Sequence, residues 1–171
     1  MSILAALVLS FNAYATDPVL LKTGREIYAS YVNILGIPGS DPDTTALFQQ
    51  NIGRLPKAGT PNELSNNVVL AVTELGGLFC QKAVARESAI PAGQRNLFGS
   101  IDFSKDYSQF DDYTVGKFTE DLAMAFWQRD VKDAEKAALA KAIKTASPGP
   151  VDKIAQVVCT IYATSLPTLV R

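Results

Sequence analysis

Apolar residues recur three and four positions apart along most of this chain, and the stretches that carry them are set off by residues that start and stop helices. Asp17-Pro18 and Asp41-Pro42 each place a carboxylate acceptor ahead of a proline at a first helical position, where the missing N–H is an orphan in any case. Gly36 and Gly53 stand where a helix end favours a left-handed residue. Ser147-Pro148-Gly149-Pro150 stops one helix and starts another.

These signals predict a helix over 19–35 with Leu20, Ile27, Tyr31 and Ile34 inward, and a second over 42–52 with Leu47, Phe48 and Ile52 as its buried side. Thr60 and Glu63 form a capping box that opens a turn or the long apolar stretch 68–84. That stretch is apolar around most of its circumference and reads as the central helix. Gly76-Gly77 inside it costs about 1 kcal/mol per glycine relative to alanine, which points to a close approach by a neighbour or a kink.

Helices over 113–128, 133–146 and 151–165 follow, the last with Ile154, Val157, Val158, Ile161 and Tyr162 inward and Pro167 as its stop. Between them, 88–112 is irregular, with Phe98, Ile101 and Phe103 as anchors. A loop of that length is uncommon and often functional. No segment alternates cleanly as a strand does. The expected fold is an all-α, single-domain bundle of five to seven helices.

Cys80 on the central helix and Cys159 on the last are the two cysteines of the chain. In an oxidising compartment they pair most simply with each other; the competing reading is two separate buried thiols. The N-terminus favours export. An apolar run from Ile3 to Leu9 is followed by Ala13-Tyr14-Ala15, small residues two apart as signal peptidase needs, although no Lys or Arg precedes the run.

The expected division is therefore a leader over 1–15 and a helical domain over 16–171, in a protein that is secreted, periplasmic or on the cell surface. If the leader is retained, Ile3, Leu4, Leu7, Val8 and Leu9 form an assembly segment that covers an apolar groove on the next copy. The run is too short for a membrane span, and membrane contact is expected only in that retained case.

Composition then removes chemistry. The chain has no histidine, which excludes a Ser-His-Asp triad, a Cys-His pair, a histidine-ligated metal and a c-type haem attachment. It has no phosphate-binding glycine loop. Its 16 basic and 17 acidic residues are interspersed, which argues against nucleic acid as a partner.

Carboxylate-pair hydrolysis survives that filter, with Glu74 and either Glu120 or Asp121 as the pair. The plainer reading puts Glu74 on a solvated edge and the others at a helix N-terminus. The stretch 102–112 carries oxygen side chains at alternate positions, but Tyr107 and Tyr113 stand where an EF-hand needs glycine and glutamate. Asp102, Asp106 and Asp111 are the metal candidates it leaves. The competing reading is an acidic loop in which Asp111 or Asp112 caps the next helix.

The function expected is that of a non-enzymatic exported protein, without a cofactor, that binds other proteins or copies of itself as a subunit of an extracellular or envelope assembly. The alternative is a periplasmic binder of a small apolar ligand, held among Phe79, Phe118, Phe126 and Trp127.

Overall fold

The structure is a computed structural model, and it describes residues 20–57, 64–145 and 150–170. The leader, with its assembly segment Ile3, Leu4, Leu7, Val8 and Leu9, lies outside the described residues, as do Asp17-Pro18 and the Thr60–Glu63 capping box. Among the described residues seven helices follow one another: α1 (Gly24–Leu35), α2 (Pro42–Asn51), α3 (Asn66–Ser88), α4 (Asp112–Trp127), α5 (Asp133–Thr145), α6 (Val151–Thr164) and α7 (Leu166–Leu169). No strand is present among the described residues, only isolated bridges that join Leu21 to Val170 and Asp106 to Pro150. The fold is an all-α bundle.

α3 is its axis. Val72, Leu75, Phe79, Cys80 and Ala83 are buried, α1 and α2 cover one flank, and α6 lies along the other. The Cys80–Cys159 disulfide joins α3 to α6, with both cysteines fully buried. Gly76 shows why the helices can lie so close. A Cβ built there would stand 3.2 Å from Thr164 Cγ2 and 3.3 Å from Ala163 Cβ, so the glycine pair serves close packing rather than a kink. Tyr31 crosses from α1 and donates its hydroxyl to the Ala163 carbonyl at 2.8 Å, tying three helices together.

Helix ends follow the expected chemistry with three exceptions, the first being Gly53, which does not take a left-handed φ, since α2 ends at Asn51 with Ile52 as a right-handed cap. Gly36 closes α1 at φ 63°, and Asp41 caps α2 by accepting the Thr44 N–H at 3.0 Å. The first helix, however, starts at Gly24 rather than 19. Thr23 and Glu26 form a capping box there, while Leu21 is extended and pairs with Val170. Pro167 likewise is not a stop: α6 ends at Thr164, and Pro167 sits in the first turn of α7, where proline is tolerated.

Three residues expected inward are exposed: Leu20 (52%), which lies ahead of α1, Ile52 (39%), just past the end of α2, and Val157 (56%) on α6.

At the N-terminus of α2, Lys82 of α3 reaches Asp41 at 2.9 Å and Asp43 at 2.7 Å. Lys82 and the Thr44 N–H hold the Asp41 carboxyl below the usual carboxylate range. A lowered folded value means that ionised Asp41 favours the folded state above about pH 4, where the unfolded group also ionises, and that this contribution fades as pH drops further. Asp102, Asp106 and Asp111 are shifted the same way by their own hydrogen bonds. The urea midpoint should hold steady from about pH 7 to pH 5 and fall below about pH 4, and Asp41→Asn should flatten part of that fall.

Candidate functional site

The irregular segment 88–112 is held on the core rather than standing off it. It makes two 3₁₀ turns, Ala92–Gln94 and Tyr107–Gln109, and buries Leu97, Phe98 and Ile101. Its anchor is Glu87 at the end of α3. That carboxylate is 1% exposed, and one of its oxygens accepts the N–H groups of Leu97 and Phe98, each at 3.0 Å. Arg86 pairs with the other oxygen at 3.2 Å and also donates to the Leu35 carbonyl at 3.0 Å, which ties the last turn of α1 into the same junction. Arg95 closes the segment by donating to the Ile90 and Ile101 carbonyls.

The three acids considered for a metal are each engaged locally. Asp102 accepts the Ser104 N–H and hydroxyl, and Asp106 does the same with Ser108. Asp111 caps α4 through the Thr114 N–H at 2.7 Å, as the capping reading has it. Among the described residues no group of three or more metal-ligating side chains gathers. An open groove of about 510 Å³ runs past this loop, between Ser104, Lys105 and Asp106 on one side and Pro150 and Asp152 on the other.

The carboxylates considered for hydrolysis have separate partners. Glu74 accepts from Asn51 at 3.0 Å and pairs with Arg54 at 3.2 Å, beside α2. Glu120 pairs with Lys136 of α5 at 2.6 Å, and Asp121 with Lys117 on its own helix at 2.8 Å. The aromatic residues considered for an apolar pocket are divided as well. Phe79 packs on Tyr28 and Tyr31, Phe118 on Phe98, and Trp127 on Tyr162 at a 4.5 Å centroid distance, with its indole N–H on Ser165. They fill space between helices rather than enclosing a common one.

What stands unclaimed is a surface. Gly77 lies 4.0 Å from Thr160 by its built Cβ, and helical spacing places Leu70, Gly77 and Gln81 of α3 on the same outward side as Val157, Thr160 and Thr164 of α6. Leu70 and Val157 are more than half exposed, and Val69 and Leu166 at the α7 end are 46% and 40% exposed.

On this side Gly77 and Gln81 of α3 and Thr160 and Thr164 of α6 carry no charge, while Glu74, one turn from Leu70, is half exposed. Its carboxylate is held by Asn51 and Arg54 beside α2, and Lys153 lies one turn from Val157. α3 is long and apolar enough to cross a membrane by length and composition, with mean hydropathy 1.5 over its most apolar window, yet only 44% of that window is buried. Its packing and disulfide make it the core helix of this bundle.

The sequence held the residues of this face but not their exposure, because a helix apolar all round gives no sign of which side its neighbours cover. Compared with protein-family models, with curated proteins and with solved structures, the chain matches none.

Proposed function

We propose that this chain is an exported helical protein that acts without catalysis, by docking another protein or a second copy of itself on the outer face of the α3–α6 pair. The observation that carries the reading is the exposure of the apolar side chains Leu70, Val69, Val157 and Leu166 on α3, α6 and α7, each 40% or more in water. Exposed apolar surface of this kind marks contact sites on soluble domains. Export is supported by the apolar run ending in Ala13-Tyr14-Ala15 and by the disulfide, which fits an oxidising compartment.

The test places a photo-crosslinking residue at Val157, and separately at exposed Gln49 on α2, in the producing cells. The expected result is a discrete adduct from position 157 alone, lost when Leu70→Asp is added, on a chain whose purified form starts at Thr16. Equal labelling from both positions, or none from 157, removes the surface reading. A retained Met1 removes export through leader cleavage.

A further inference from the structure

α5 is attached to the bundle differently from the helices around the disulfide. Leu139 and Ile143 are its buried side chains among the described residues, and α4 is the one helix along which it packs. Even there the fit is loose. An open crease of about 610 Å³ runs between Asp112 and Gly116 of α4 and Asp133, Ala137 and Lys141 of α5, and a Cβ built on Gly116 would meet nothing within 4 Å. Few buried apolar contacts mark an element that opens ahead of its surroundings. Val131 before the helix and Val151 after it are both buried, so α5 is a strap fixed at its two ends.

Its N-terminal end is held by a clip made of charge. The Glu135 carboxylate accepts both terminal guanidinium nitrogens of Arg129, at 2.8 and 2.9 Å. It also accepts the Lys132 N–H at 3.0 Å, capping the helix that carries it. The two halves of the clip belong to different bodies. Arg129 lies over the Trp127 ring at 4.7 Å, and Trp127 stacks on Tyr162 of α6 and donates its indole N–H to Ser165. Arg129 is therefore seated on the bundle, whereas Glu135 travels with α5. Lys136 adds a pair to Glu120 at 2.6 Å, and Lys141 is engaged as well, but partly exposed charge contacts hold only weakly against water.

A buried hydroxyl sits beside the clip. Tyr162 is fully buried, its hydroxyl has no hydrogen-bond partner, and the charges of Glu135 and Arg129 both act on it. Burial first, then Glu135, pushes this phenol above its ordinary range, with Arg129 opposing. A buried donor left without an acceptor disfavours the closed arrangement.

We propose that α5 is a releasable strap: it lifts off α4 as a unit between Val131 and Val151, with the Glu135–Arg129 pair as its catch, and uncovers the apolar surface on which Leu139 and Ile143 rest. The α3–α6 core, crosslinked by the disulfide, stays closed while it does so.

Hydrogen exchange followed along the whole chain tests this. In the wild type, amides of 137–143 are expected to exchange about tenfold or more faster than those of α3 and α6. Glu135→Gln keeps the length of the side chain and an acceptor for the Lys132 N–H but removes the charge. It should speed exchange of 137–143 by a further factor of about five to ten and leave α3 and α6 unchanged. The dye ANS, which binds exposed apolar surface, should bind this variant more than the wild type, with the same helical circular-dichroism signal.

Wild-type α5 amides that exchange together with those of α3 overturn the proposal, and that comparison needs no variant. So does fast exchange of α5 that Glu135→Gln leaves as it was, or a variant that speeds every helix alike. Faster opening of α5 without added dye binding removes the uncovered apolar surface. None of these outcomes bears on the crosslink at Val157, so the two readings fail separately.

Discussion

Replacing Cys80 and Cys159 together by alanine is expected to lower the free energy of unfolding by about 4–5 kcal/mol, the chain-entropy value for a loop of this length. The two residues are 79 apart in sequence, so the crosslink removes from the unfolded chain every conformation in which α3 and α6 are far apart. In the folded state it holds the two helices that meet most closely, at the point where Gly76 lets Thr164 and Ala163 approach.

For a chain of this size each kcal/mol corresponds to about 2–4 °C, which gives a drop in Tm of roughly 10–15 °C. Urea titrations of wild type and the double variant, read by circular dichroism, check this. A loss under about 1 kcal/mol would show that the unfolded chain already keeps these helices together. Both sulfurs are fully buried, so mild reductant under native conditions should open the bond only as fast as the bundle itself opens.

Glu87→Ala is the second large effect. The substitution takes the acceptor from two buried N–H groups, those of Leu97 and Phe98, and removes the partner that holds Arg86 beside the end of α1. Leaving buried donors unsatisfied costs about 1–3 kcal/mol each, so a total of about 3–5 kcal/mol is expected. Glu87→Gln keeps an acceptor oxygen in place and should cost less than half as much.

The two variants also differ in where the loss shows. Hydrogen exchange should report early opening of 95–103 in the alanine variant, with α1, α2 and the disulfide region still protected. Uniform loss of protection across all helices would show instead that Glu87 stabilises the bundle as a whole and does not clamp the loop.

Much of the architecture was legible because helix ends are chemically specific. Asp41-Pro42, Gly36 and Pro150 mark boundaries through the backbone groups they satisfy or remove, and the structure places ends at each of them. Cys80 and Cys159 were legible as a pair because no other cysteine competes.

The misplacements have two causes. Val157 fits the helical period, but periodicity shows only that an apolar face exists, not that a neighbour covers it, and it is more than half exposed; Leu20 is exposed because α1 starts beyond it, at Gly24. Glu87 left no trace in the sequence for a related reason. Its partners are main-chain N–H groups of a loop ten residues on, and any residue other than proline supplies those. The candidate surface was hidden similarly, since its defining property is the absence of a neighbour.

The pairing of Leu21 with Val170 is reinforced by the Lys22 N–H on the Leu169 carbonyl at 2.7 Å and by the Lys22 ammonium on the Thr168 carbonyl at 2.8 Å. Residues 21 and 170, near the two ends of the described chain, are therefore held side by side. A tether fixed ahead of residue 20 and a cargo fused behind residue 170 would emerge on the same flank, and tension between them would load that short clasp before it reached the sulfur bridge.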